Sequence, residues 1–245
     1  MGLVNRPGNH RRQARLTAPP PACSAQGPTL TAIEGCTMSE YTLHCFAESG
    51  NAYKAALMLE LTGQDWQPVF VDFFNGQTRD PVWRDEVNEQ GEVPVLMHAG
   101  TCLTQSALIL EYLSAQTGQF GPEHEEDRRE IWRWMLFDNH KFTSYYAALR
   151  FLLCLKKTGE TEVTTFLRER AAAAYRIVDG HLAGTPFMVG ARATIADLSL
   201  AGYVFMPEDT GMDVQQYTHI EAWKARLQAL PGWQHPYDLM PRVAP

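Results

Sequence analysis

Between residues 41 and 118 the hydrophobic and polar positions change period several times. YTLHCF (41–46) alternates as a half-buried strand does, and NAYKAALMLELTG (51–63) sets apolar residues at 52, 55, 56 and 59, the spacing of a helix face. QPVFVDF (67–73) is strand-like again. PVWRDEVNEQG (81–91) predicts a short helix, VPVLMHAGTCLT (93–104) a hairpin turning at Ala99-Gly100, and QSALILEYLSAQTG (105–118) a helix closed by Gly118. The predicted order is βαβαββα. Beyond the Gly-Pro break at 121 and 122 the spacing is helical over 125–155, 161–183, 195–206 and 218–230, with no strand signal and no internal repeat. The pattern therefore predicts an α/β domain at 39–118, a linker at 119–124 and an all-α domain at 125–245.

The first 38 residues differ from the rest. They contain no aromatic residue, a Pro triplet at 19–21 and few acids, too little apolar surface to order themselves. They are expected to be disordered, either as an extension ahead of a natural start at Met38 or, given their Arg content, as a targeting segment. In the whole chain 45% of residues are hydrophobic and 11% aromatic, ample for a packed core. The apolar stretch YYAALRFLLCLKK is interrupted by Arg150, Lys156 and Lys157, short of the roughly 20 residues a membrane span needs. A net charge of −7 with no basic stripe argues against nucleic acid and for a small-molecule ligand. Five cysteines, Cys23, Cys36, Cys45, Cys102 and Cys154, form no C-x-x-C pair, which argues against a disulfide framework or a zinc site and fits a reducing, cytoplasmic setting.

Three motifs carry a resemblance over residues 41 to about 235: EVPVL at 92–96, QSALILEYL at 105–113 and TIADLSL at 194–200. In this order and spacing they resemble the soluble glutathione S-transferases. The resemblance implies a thioredoxin-like domain followed by an all-α domain, glutathione as co-substrate, no metal, and a homodimer. It implies a cis Val93-Pro94 bond presenting the Val93 backbone to the cysteinyl part of glutathione. Gln105 and Ser106 would hold the γ-glutamyl end at a helix N-terminus, where free N–H groups favour a carboxylate. Thr104 or Ser106 is equally suited to capping that helix. The family more often has Glu at position 105; a Gln there can still accept from the ligand ammonium. Thr194 and Asp197 read as a capping box, which makes Asp197 structural.

Ser49 stands where the first strand gives way to the first helix, the position at which this family places its thiol-activating residue. Only the thiolate is a good nucleophile, and a hydroxyl donor together with a helix N-terminus lowers a thiol pKa. Asn51 resembles the Asn of the branch that reduces disulfides with glutathione. Ser-Gly-Asn is also ordinary turn and N-cap chemistry. With Ser49 and Ala52 in place of cysteines, exchange through a mixed disulfide is not expected, and Cys45 reads as a small core residue. Trp132, Trp134, Phe137, Phe142, Tyr145 and Tyr146 suit core, subunit interface or a co-substrate wall. His140 suits the surface or the core better than a base, and Arg133, Lys141 or Arg150 could reach a carboxylate. The expected activity is attack of glutathione thiolate on an electrophilic small molecule, with disulfide or peroxide reduction and non-catalytic binding as alternatives.

Overall fold

The computed structural model describes residues 39–242, so the expectation for residues 1–38 lies outside the described residues. Four strands form one mixed sheet in the order β2-β1-β3-β4: β1 Tyr41–Cys45, β2 Trp66–Phe70, β3 Val95–His98 and β4 Thr101–Thr104. β1 runs parallel to β2 and antiparallel to β3, which pairs antiparallel with β4. The alternation in YTLHC is seen directly, with Tyr41, Leu43 and Cys45 buried. Pro68 lies in β2, an edge strand, where a missing N–H costs no ladder bond. The hairpin turns where expected, with Ala99 at φ 47° and Gly100 at φ 77°, the two positive values that a tight two-residue connection needs.

Helices α1, Gly50–Leu61, and α3, Ser106–Thr117, pack together, while α2, Pro81–Glu86, brings Trp83 against Val71 and Val95 elsewhere on the sheet. α1 is buried along most of its length, including Lys54, because the second domain covers what the sheet leaves open. One continuous apolar cluster runs from Tyr41 and Leu57 through Trp134, Tyr175 and Trp223 to Met240.

The expected helical run at 125–155 is present, in four pieces. Helix α4, Glu125–Phe137, and α5, Thr143–Arg150, are separated by a π-helical turn at Asp138–Phe142, and a second such turn, Phe151–Leu155, follows α5. Helices α6, Glu162–Leu182, and α8, Thr218–Gln228, are close to expectation. Helix α7, Ile195–Leu200, is shorter than the predicted 195–206. The chain leaves the helix at Ala201-Gly202, where it passes hard against α1: a Cβ on Gly202 would lie 2.5 Å from Lys54 Cε and 2.9 Å from the Gly50 carbonyl oxygen. A last short helix, α9, Pro236–Leu239, gave no signal in the apolar spacing.

TIADL does the structural work expected of it. The Asp197 carboxylate, fully buried, accepts from the Thr194 N–H at 2.9 Å, the Met188 N–H at 2.8 Å and Trp223 Nε1 at 2.9 Å, while Thr194 Oγ1 accepts from the Ala196 N–H. Burial raises the Asp197 pKa, against the pull of those bonds. Replacing Thr194 by Ala is expected to lower stability by about 0.5–2 kcal/mol, the value of an N-cap hydroxyl, without changing turnover of the folded protein. A denaturation midpoint measured beside steady-state kinetics checks this, and a selective loss of turnover would contradict it.

Candidate active site

Ser49 is the N-cap of α1, with extended backbone angles of φ −86° and ψ 102°. Its Oγ accepts from the Ala52 N–H at 3.2 Å. The capping reading and the functional reading are therefore compatible, since an oxygen occupied by a donor still has its own proton to give. Gly50 follows because nothing larger fits: a Cβ there would lie 2.4 Å from the Gly202 carbonyl oxygen and 2.5 Å from the Tyr203 ring. The Tyr203 ring packs against this glycine, and burial pushes its hydroxyl to a higher pKa. Among the first N–H groups of α1, that of Ala52 is taken by the Ser49 hydroxyl, which couples Ser49 to the positive end of the helix dipole.

Two adjoining cavities lie in front of this turn. One, of about 230 Å³, is lined by Ser49, Asn51, Val93, Arg150, Phe151 and Tyr203, with Phe46 and Phe73 adding aromatic wall. The other, of about 260 Å³, is lined by Asn51, Val93, Pro94, Gln105, Ser106 and Thr143. Asn51, Glu92, Val93 and Ala147 border both, so the two form one cleft. All six residues singled out in the sequence, Ser49, Asn51, Val93, Pro94, Gln105 and Ser106, face it. The Val93-Pro94 bond is cis, and the Val93 N–H and C=O have no backbone partner among the described residues.

Neither Thr104 nor Ser106 caps α3. Gln105 is its N-cap, at a positive φ of 68° and with no side-chain capping bond, so the Ser106 hydroxyl remains unengaged by protein among the described residues. Gln105 Nε2 donates to Glu92 Oε2 at 3.0 Å and to Gln90 Oε1 at 2.7 Å. The carboxylate that position 105 lacks is therefore present at Glu92, and the contact, across 13 residues, is one that no local pattern reveals. Asn51 Oδ1 is buried without a partner.

The aromatic residues of α4 and α5 are not on this cleft. Trp134, Phe142 and Tyr146 are core, and the rings that do line the cleft are Phe46, Phe73, Phe151 and Tyr203. The reason is helical phase: α5 turns Thr143, Ala147 and Arg150 toward the cleft and buries Tyr146 and Leu149. His140 is exposed and borders neither cavity. Arg133 pairs with Glu130 at 2.6 Å on the surface, and Lys141 is exposed; of the three cations, only Arg150 lines the cleft. Cys45 sits in the core, where burial pushes its thiol pKa up to about 12 and keeps it protonated. Among the described residues no group of three or more His, Cys, Asp or Glu side chains is placed to hold a metal ion, and no helix is long and apolar enough to cross a membrane.

Two family models match the chain, glutathione S-transferase N-terminal domain over residues 39–115 and glutathione S-transferase C-terminal domain over 144–231. A solved glutathione S-transferase from Pseudomonas fluorescens Pf-5 is 31% identical with a TM-score of 0.76, covering 82% of this chain and 100% of that one. The chain belongs to the glutathione S-transferase family. Glutathione S-transferase F14 of Arabidopsis thaliana is 25% identical over 223 residues, 82% of this chain and 87% of that protein. A theta-class glutathione S-transferase from Xanthomonas axonopodis pv. citri, solved with glutathione bound, shares the fold at 23% identity and a TM-score of 0.72, covering 84% of this chain and 100% of that one. In this transferase Glu92, Arg150, Tyr203 and the rings of Phe46, Phe73 and Phe151 are among the cleft residues that sequence reasoning passed over or left undecided. Glu92 was within reach, as the first residue of EVPVL.

Proposed function

We infer that the cleft binds glutathione and uses its thiolate to attack an electrophilic small molecule. The observation that carries this reading is the Ser49 hydroxyl: its oxygen is engaged by the Ala52 N–H and its proton is left for an acceptor in the cavity. Glutathione would pair along the Val93 backbone, with its γ-glutamyl carboxylate at Ser106 and the uncapped N-terminus of α3 and its ammonium near Gln105 and Glu92. The sulfur then lies toward Ser49 and Asn51. Ser49 donates to the sulfur as negative charge develops, and the Asn51 amide assists. The thiol proton leaves to solvent, the carbon–sulfur bond forms, and the leaving group departs with its electron pair. The electrophile would lie against Phe46, Phe73 and Phe151. The protein would act as a cytoplasmic homodimer.

Turnover of glutathione with a panel of aryl halides, activated alkenes, disulfides and hydroperoxides tests this. Conjugation is the expected outcome. Reduction of the disulfides or peroxides alone, consuming two glutathiones, would replace it with a reductase role, for which Asn51 is suited. Glutathione affinity without any turnover would make this a binding protein. Ser106→Ala is expected to weaken the glutathione Kd by about 1–3 kcal/mol, the cost of leaving a buried polar partner unmatched. An unchanged Kd by calorimetry would move the carboxylate elsewhere.

A further inference from the structure

The turn that presents Ser49 is held from outside its own domain. Strand β1 ends at Cys45 and α1 begins at Gly50; between them the Ser49 N–H closes a turn onto the Phe46 carbonyl at 3.0 Å, and the Ser49 carbonyl accepts from the Tyr53 N–H at 3.0 Å. Three further bonds, at Ala47 and Glu48, come from distant residues. The Ala47 N–H donates to the Pro241 carbonyl at 2.9 Å, Arg150 Nη1 donates to the Glu48 carbonyl at 2.9 Å, and Arg242 Nε donates to Glu48 Oε1 at 3.0 Å.

Arg150, whose side chain is 1% exposed, is the hub of this arrangement. Its Nε donates to Glu208 Oε2 at 2.8 Å and its Nη2 to the Tyr237 hydroxyl at 2.8 Å, and Tyr237 in turn donates to the other oxygen of Glu208. Burial alone would raise the Glu208 pKa, but the bonds from Arg150 and Tyr237 hold it below the usual carboxylate value, so the ring of contacts stays charged at neutral pH. Arg242 stacks 3.9 Å over the Tyr237 ring. His235 secures the start of the segment, accepting the Tyr237 N–H at Nδ1 and sharing Nε2 with the Phe205 carbonyl at 3.0 Å. Everything from His235 onward lies beyond the matched C-terminal domain, which ends at 231.

We propose that Arg150 and the C-terminal segment 235–242 are positioning elements for the reaction, latching the Ala47-Glu48 backbone so that the Ser49 hydroxyl meets the glutathione sulfur. The inference rests on the glutathione reading above. It separates catalysis from binding, because Val93, Pro94, Gln105 and Ser106 make none of these contacts. A misplacement of about 1 Å can cost about 100-fold in rate with the reacting groups all present, and that is the kind of effect a loosened turn should have.

Three variants of the full chain test it: Tyr237→Phe, Arg150→Lys, and a chain ending at Met240, which keeps buried Met240 and removes both Pro241 and Arg242. Each is measured for kcat, glutathione Kd, thermal midpoint and the pKa of the bound thiol by thiolate absorbance. The expected result is a fall in kcat of about 10- to 100-fold with a raised thiol pKa and a Kd within about twofold of the parent, since the geometry at sulfur changes and the binding edge does not. Lowered midpoints with kcat and thiol pKa unchanged would overturn the positioning role and leave the segment as packing only. Should Arg150→Lys fail to fold, because Lys cannot reproduce the fork of bonds, Tyr237→Phe and the shortened chain decide. A parent protein without glutathione affinity would be a failure of the functional reading, visible before any variant is made.

Discussion

Replacing Ser49 by Ala is expected to lower kcat by about 10²- to 10³-fold, the loss seen when one well-placed donor to a developing anion is removed. Glutathione affinity should barely change, because the bond strengthens only as charge builds on sulfur. The bound thiol should accordingly titrate at a higher pH than in the parent. The same substitution removes the N-cap bond to the Ala52 N–H, so a modest loss of stability, about 1 kcal/mol, is expected alongside. That loss is too small to account for the kinetic one. Thiolate absorbance followed against pH decides the matter, with Asn51→Ala as companion. A raised pKa in Asn51→Ala with none in Ser49→Ala would move the role two residues along, and no shift in either would reduce Ser-Gly-Asn to a turn.

Lys54→Met is expected to be the most damaging substitution to stability, at about 3–5 kcal/mol. Lys54 and Asp138 are both fully buried and paired at 2.7 Å, Lys54 also reaches Thr143 Oγ1 at 3.2 Å, and Asp138 accepts from Thr143 and Ser199 at 2.6 Å each. Removing the ammonium leaves a carboxylate in the core with two hydroxyls and no countercharge. A buried pair is replaceable as a pair, so Lys54→Met combined with Asp138→Leu should recover most of the loss. Urea midpoints of the two single variants and the double one measure this. Single variants within about 1 kcal/mol of the parent would mean that the pair contributes little.

Much of the first domain, and one helix start in the second, was legible in the sequence because the signals are local. Period two in YTLHC, the Ala99-Gly100 turn, the X-Pro step at 93–94 and the four-residue box at Thr194 each need only a few neighbouring residues to be read. What was not legible depends on contacts made across the chain. Nothing near Lys54 announces a partner 84 residues away, and Arg150 resembled one of three cations until Glu208 and Tyr237 were seen around it. The aromatic residues of 132–146 were ambiguous for a related reason: apolar spacing tells which residues share a helix face, not whether that face meets the core or the cleft. Helix α7 was overestimated because apolar residues continue past its end, while the stop falls at Gly202, where the chain also meets α1 closely.

The single apolar cluster running from Tyr41 to Met240 bears on how such chains can be recombined. A crossover placed in the 119–124 connection divides the sequence neatly but cuts through the molecule's shared interior, because α1 belongs to the first half by chain and to both halves by packing. A chimera that takes its first half from one relative and its second from another would set foreign side chains against Lys54, Gly50 and Leu57. Such hybrids should melt in one transition or not fold, and the successful ones should be those in which the residues facing α1 from Asp138, Thr143, Ser199 and Gly202 travel together with it.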